Sequence, residues 1–393
     1  MRVGLLNVRF SPNLGDGLLA ECMEKELAAQ PGVSKVVSID LVGRRVYGQG
    51  GLPNRQAAIR VLEAMPRQVR RLAAEQVLKV LVDRKLTPHW REAMKDLDVV
   101  VLGGGNLIAD HDLNFPIKIA GALRLAAAAS LPVAVFGVGV SHDWSPAAQA
   151  YLAQAFGQVR VVYAAVRDER SQALWSERFV YPATTCRDPG VLASRHFAPG
   201  ERSGGAPRVG LGLTDPVALA YHGGAAIEEP QFSAWYAQLA QGLVAKGYEV
   251  VLFTNGSPED RAYLRRASEV IRAKAPEVRV EPDFRNPGEL TSFVSSLDLL
   301  LAHRLHACIA AYSFGVPHLG FEWDAKMRSF FAAVDRSPFL VEAVTTTPED
   351  VVALAGDALR LGVDPSSRAS VLDDARNDIV RLHEVLLREV GRG

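Results

Sequence analysis

Short continuous apolar runs that end in glycine alternate along the chain with longer segments whose apolar residues recur every three or four positions. The first pattern fits strands buried on both faces of a parallel sheet, and the second fits helices that cover it. Two such series are visible. The first places strands at Met1–Asn7, Val36–Leu41, Asp98–Leu102, Val133–Gly137 and Val161–Val166, and helices near Leu18–Ala29, Gln56–Lys85, Ile117–Ala129 and Ala147–Phe156. The second places strands at Arg208–Leu213, Glu249–Phe253, Val278–Glu281, Leu297–Leu301 and His318–Phe321. Its helices are expected near Gln231–Lys246, Pro258–Lys274, Glu289–Ser295, Arg304–Phe314 and Lys326–Val334. Between the series, Ala198–Pro207 (APGERSGGAP) concentrates Gly, Pro, Ser and charge, as an interdomain linker does. The expected fold is therefore α/β, with two doubly wound Rossmann-like domains at residues 1–197 and 208–366. A final helix at 367–393, apolar at Val371, Ile379, Leu382, Val385, Leu386 and Val390, could pack on either domain. Open α/β sheets bind ligands outside the carboxyl ends of their strands, so an interdomain cleft is the expected site.

Composition narrows the class. A chain of 393 residues with 48% hydrophobic and 22% charged residues is long enough for two ordinary cores. Its 44 Lys+Arg balance 44 Asp+Glu, which leaves no global field for a polyanion and argues against a general nucleic-acid binder. Cys22, Cys186 and Cys308 are far apart and odd in number, with no CxxC pair, so neither a disulfide framework nor a thiolate zinc site is suggested. The start, MRVGLLNVRF, is strand-like and lacks the pattern of a signal peptide. The most apolar stretch, Ile119 to Val140, contains Arg124 and Pro132 and reads as a helix followed by a strand. A soluble cytoplasmic protein is expected.

Zero net charge conceals an uneven distribution. From Arg44 to Lys95 there are twelve basic residues against four acids, Glu63, Glu75, Asp83 and Glu92. Such a run is ordinarily a solvated helix face, here around Pro66. The sharper expectation is peripheral contact with an anionic membrane surface, or with a lipid-diphosphate-linked acceptor, at the inner face of the membrane.

Candidate chemistry collects at expected strand ends. Gly103-Gly104-Gly105-Asn106 follows the third strand, where glycines allow a sharp turn and let amides approach an anion. A tight turn alone would explain them, and they match neither GxGxxG nor GxxxxGK[ST]. Gly137-Val138-Gly139 repeats the device one strand later. Asn13-Leu14-Gly15-Asp16-Gly17 precedes the first helix, so Asn13 or Asp16 could cap it, or the helix start could bind substrate oxygens. The densest cluster is His303-Arg304-Leu305-His306, at the end of a strand and the start of an Ala-rich helix. There an arginine can hold an anion through two bonds, and an imidazole can donate charge or move a proton. Asp110-His111-Asp112 has a divalent-cation spacing, but no metal is expected there.

The ordered set NLGDGLL, VVVLGGGNLIAD, VAVFGVGV, VRDERSQALW, CRDPGVL, LLLAHRLHACIAAYSFGVP and FEWDAKMRSF resembles the polysaccharide pyruvyl transferase family over nearly the whole chain. Two features depart from the family pattern. Val140-Ser141 follows the second glycine turn where Gln or Pro is common, and His303 stands where a small residue is usual. The resemblance implies a GT-B-like fold and the use of phosphoenolpyruvate to pyruvylate a sugar of a cell-surface glycan or its lipid-linked precursor. It implies a donor site at Arg304 and His306, joined by Arg167 of the RDExS element and Lys326 of the D-x-K element. Phosphoenolpyruvate is a small polyanion, so several cations and amides must converge on it, and the Gly103–Gly105 amides are further candidates. For Arg167 the plain alternative is an ion pair with Asp168 or Glu169, and for Lys326 a solvated helix start.

In the expected mechanism His306 is the general acid, Arg304 anchors charge, and Asp16 is the base, with Asp110 as the other candidate. Asn13, Gly15, Asn106, Gly137, Gly139 and His303 are expected to contact substrate. No cofactor is expected beyond phosphoenolpyruvate as the donor substrate, and an oligomer is compatible with the chain. Two other functions fit the architecture: a GT-B glycosyltransferase using a nucleotide-sugar, and a non-catalytic partner in glycan assembly.

Overall fold

The computed structural model describes residues 1–49, 75–110, 112–202, 204–217, 219, 228–343 and 345–391. By backbone contacts the chain divides into two units. The first holds Met1–Ser11, Leu19–Pro189 and Asp374–Gly393, and the second holds Pro12–Leu18 and Gly190–Asp373.

In the first unit the strands are β1 (Arg2–Asn7), β2 (Lys35–Asp40), β3 (Val99–Ile108), β4 (Val133–Val140), β5 (Val161–Val166) and β6 (Thr184–Thr185). They form one parallel sheet in the order β2-β1-β3-β4-β5-β6. The helices are α1 (Leu14–Ala28), whose first residues belong to the second unit, α2 (Thr87–Met94), α3 (Asn114–Ala128), α4 (Pro146–Gly157) and α5 (Glu169–Arg178). Val99–Leu102 and all of β4 are buried, as strands covered on both faces require.

In the second unit, after a short helix α6 (Ala193–His196), the strands are β7 (Arg208–Gly212), β8 (Glu249–Phe253), β9 (Arg279–Val280), β10 (Leu299–Ala302), β11 (His318–Phe321) and β12 (Leu340–Val341). They are parallel, in the order β12-β11-β10-β7-β8-β9. Between them run α7 (Glu229–Ala245), α8 (Pro258–Lys274), α9 (Pro287–Ser295), α10 (Leu305–Phe314), α11 (Ala325–Ala333) and α12 (Pro348–Leu361). The last helix is α13 (Pro365–Val390). Its residues from Asp374 onward lie in the first unit, where Asp378 accepts the Arg187 amide at 2.7 Å. Earlier in the helix, Arg368 donates to the Ser313 carbonyl at 2.6 Å within the second unit.

Local sequence sets where many helices begin. Ser145-Pro146, Ser257-Pro258, Asn286-Pro287 and Thr347-Pro348 each pair a capping side chain with a proline whose missing N–H costs nothing in the first turn. In each unit the strand order reverses beside the first strand, between β1 and β3 and between β7 and β10, which are the switch points where α/β sheets take ligands.

The α/β class and the two parallel sheets expected from the sequence are present. The glycine turns need correction. β3 does not end at Leu102 but runs through Gly103-Gly104-Gly105 to Ile108, and β4 runs through Gly137 and Gly139 to Val140. Gly104 and Gly105 have φ of +81° and +74°, and the β3–β4 register shifts after Gly105, so the strand bulges and continues. A Cβ on Gly104 would lie 2.8 Å from Leu19, and one on Gly103 would lie 3.0 Å from the Met23 sulfur. The triplet thus lets α1 pack close to the sheet, and Gly103 and Gly105 pair with Phe136 and Val138 in the ladder instead of forming an open loop. Most of the expected helix Gln56–Lys85 lies outside the described residues. Within its described part, residues 75–85, the chain is helical and enters a π-helical turn at Val82–Leu86. Among the described residues, no helix is long and apolar enough to cross a membrane.

Candidate functional site

The candidate residues fall into two groups, one in each unit. In the second unit, β10 is a buried Leu-Leu-Leu-Ala run that ends at its switch point, and the chain then turns into the almost wholly buried helix α10. Arg304 sits at the turn with extended backbone (φ −81°, ψ 113°) and no side-chain cap, so its guanidinium is available for other partners. Its Nε and Nη2 both donate to Asp260 at 2.8 Å, forming a two-bond ion pair. Asp260 has no solvent exposure and also accepts the Asp215 amide at 3.0 Å. Arg304 was expected to anchor charge, and the carboxylate that it holds here is the buried Asp260.

Lys326 is placed similarly: its Nζ lies 3.1 Å from Asp324, the residue that caps α11. Trp323 joins the two pairs. Arg304 and Lys326 lie 5.9 and 5.8 Å from its ring, and its indole N–H donates to the His303 carbonyl at 2.7 Å.

His306, in the first turn of α10, packs against the start of α1. A Cβ on Gly15 would fall 2.5 Å from the His306 Cβ and 2.7 Å from its Nδ1. The loop that makes this approach is held by the Leu14 amide on the Asn255 carbonyl at 2.8 Å and by Asn13, whose side-chain oxygen accepts the Gly15 amide at 3.3 Å. Asp16 is partly exposed in the first turn of α1, and its carboxylate has no hydrogen bond or ion pair among the described residues. Gly15→Ala is expected to force the imidazole aside and cost about 1–3 kcal/mol of stability. Thermal melts together with turnover would check this, since unchanged values for both would mean that the loop yields freely.

His303 does not face solvent. It is 1% exposed, its ring packs on Phe232 and Phe321, and its Nδ1 lies 2.9 Å from the Tyr236 hydroxyl. Burial, and then the Arg304 charge, push its pKa down to about 3. Burial and Arg336 do the same to His318, also to about 3. In the unfolded chain each takes up a proton near pH 6.5, so stability present above that pH is lost as pH falls toward 3. The expected slope is up to about 1.4 kcal/mol per pH unit for each histidine. Denaturant titrations across this range should show a shallower slope for His303→Gln, and an unchanged slope would refute the assignment.

In the first unit, Asn106, Gly139 and Arg167 meet at the ends of three adjacent strands. Arg167 has a side chain only 7% exposed and pairs with Asp168 at 3.3 Å, the plain alternative anticipated from the sequence. A Cβ on Gly139 would lie 2.4 Å from the Arg167 Nη2 and 2.8 Å from the Asn106 Oδ1, so glycine is what lets these groups converge. Asn106 donates to Ser141 at 3.0 Å. Gly137, at φ +65°, faces Pro189 instead. Asp110 accepts the amides of Leu113 and Ser145, both at 2.8 Å, which ties two loops together. His111 lies outside the described residues.

Asp260 and Trp323 were not singled out from the sequence. Ser257-Pro-Glu-Asp260 reads as a capping box, and Trp323 reads as one more apolar residue after a strand.

The fold has solved counterparts. A UDP-N-acetylglucosamine 2-epimerase aligns over 100% of this chain and 98% of its own, with TM-score 0.60 and 14% identity. The UDP-GlcNAc 2-epimerase of Neisseria meningitidis, solved with UDP-GlcNAc, covers 99% and 100% with TM-score 0.54 and 11% identity. The spinosyn forosaminyltransferase SpnP covers 98% and 99% with TM-score 0.51 and 16% identity. At these identities the likeness concerns the fold, which is of the GT-B class. No curated protein sequence matches the chain. The polysaccharide pyruvyl transferase family model matches residues 13–325, a span that includes the Asn13 loop, the β3 glycines, Arg167, the Arg304–His306 turn and Ala325 at the start of α11. The chain belongs to the polysaccharide pyruvyl transferase family.

Proposed function

We propose that this transferase moves the pyruvyl group of phosphoenolpyruvate onto a sugar of a cell-surface polysaccharide or its lipid-linked precursor, giving a pyruvate ketal and phosphate. The observation that carries the reading is the turn after β10. There Arg304 keeps N–H groups beyond those on Asp260, His306 stands in the first turn of a buried helix, and Lys326 shares the Trp323 ring with Arg304. A compact polyanion suits such a set, and the starts of α10 and α11 add positive helix ends.

In this reading His306 gives a proton to C3 of phosphoenolpyruvate, and C2 becomes electrophilic. One sugar hydroxyl adds to C2 as Asp16 takes its proton. The C2–O bond to phosphate then breaks, phosphate leaves with the bonding pair and takes up the proton held by Asp16, and a second hydroxyl closes the ketal, its proton restoring His306. The charge of Arg304 and Lys326 is already matched by Asp260 and Asp324, so the helix ends and the acid proton carry much of the burden of charge stabilisation.

The test is incubation with phosphoenolpyruvate and lipid-linked or nucleotide-linked glycans, reading phosphate release together with a mass gain on the acceptor. Stabilisation by UDP or GDP but not by phosphoenolpyruvate would reject the reading.

The basic 44–95 segment is proposed to meet an anionic membrane surface. Val46, Val77 and Val80, at 56%, 60% and 50% exposure, lie within it, and apolar residues among basic ones favour an anionic interface. Flotation with phosphatidylglycerol vesicles should fall when Arg84, Lys85 and Arg91 are changed to Glu, and unchanged flotation would dismiss the contact.

A further inference from the structure

Asp260 occupies the fourth position of Ser257-Pro-Glu-Asp, where a carboxylate ordinarily reaches back to the amide of the capping residue. Only half of that box forms. Ser257 accepts the Asp260 amide at 3.2 Å, but the carboxylate turns away, to the Asp215 amide beyond β7 and to Arg304 beyond β10. A fully buried acid thereby joins α8 to both strands that flank the switch point.

We propose that Asp260 is a positioning residue that presents Arg304 edge-on to the donor's anionic group. Arginine is a planar fork with five N–H donors. With the Nε/Nη2 edge held by Asp260, the two N–H groups of Nη1 and one of Nη2 remain on the opposite edge, and they have no partner among the described residues. The Arg304 side chain is 17% exposed, whereas Asp260, on its held edge, has no solvent exposure. The ion pair costs the site net charge and gains a fixed guanidinium plane, the exchange expected where orientation in the transition state matters more than ground-state attraction. This inference rests on the donor reading above.

The two roles separate in kinetics. Asp260→Asn keeps the shape of the side chain but replaces one accepting oxygen with a donor and releases the guanidinium from its plane. It should lower kcat by roughly 10- to 100-fold, while KM for phosphoenolpyruvate stays within about threefold or falls, because the cation is no longer offset. Asp260→Glu keeps the buried charge, moves the oxygens by one methylene and should show the same kcat loss, which guards against poor folding of the first variant. A variant with lowered melting temperature but wild-type kcat and KM would mean that Asp260 is only structural, and would overturn the proposal. So would a rise in KM at constant kcat. Wild-type enzyme that neither turns over phosphoenolpyruvate nor is stabilised by it would remove the donor reading and this inference together. Variants that match an active wild type would remove the inference alone.

Discussion

His306→Ala is expected to lower turnover of phosphoenolpyruvate by about 10²- to 10⁴-fold, the usual worth of a placed general acid. The loss should be chemical, not structural. His306 lies against Gly15 at the start of α1, and removing its ring opens space at a helix end that is already anchored by the Leu14–Asn255 and Asn13–Gly15 bonds. His306→Gln is the control, because it fills much of the space and can hydrogen-bond but cannot cycle a proton. Rapid-quench and steady-state phosphate release on both variants would decide the matter. Equal losses with unchanged melting temperatures support an acid role, and rates within about tenfold of wild type would end it.

Arg304→Ala should cost both fold and activity. It strands Asp260, a carboxylate with no solvent exposure, and breaking a buried pair by removing one partner typically costs about 3–5 kcal/mol. Replacing both partners by apolar residues is far cheaper. Arg304→Met/Asp260→Leu should therefore recover a large part of the stability while staying inactive, although the Asp215 amide loses its acceptor. Denaturant unfolding of the single and double variants, with phosphate release measured beside it, separates the two effects. If the double variant is as unstable as the single, the buried-charge account is wrong. If it regains activity, Arg304 does not hold the donor.

The histidines on either side of Arg304 show why position in sequence is a poor guide to role. His303 and His306 are three residues apart and chemically identical, yet one is neutral in an aromatic core and the other stands in the first turn of α10 against the α1 loop. Alternation in a strand and rotation in a helix send neighbouring side chains in different directions. Only the path of the chain at Ala302–Leu305 decides which of them meets the core.

The sequence by itself determined the α/β class, five of the six parallel strands in each sheet, many of the helices and the family, but not the short strands Thr184–Thr185 and Leu340–Val341 or the helices α2, α5 and α12. Each feature it determined rests on local information: apolar period, a cap beside a proline, or a short run of residues at fixed spacing. It also marked Arg304, His306, Arg167 and Lys326 as candidates, since charged residues at strand ends are conspicuous. Tertiary structure alone decided what those charges meet. Asp260 lies 44 positions before Arg304 and resembles an ordinary capping acid until α8 and β10 are brought together. The glycines after Leu102 likewise looked like a turn, because their reason, the approach of Leu19 and Met23, comes from a helix some eighty residues earlier in the chain. Partners so distant in sequence leave no periodic trace, and the close packing that selects glycine or a buried acid exists only once the elements are assembled.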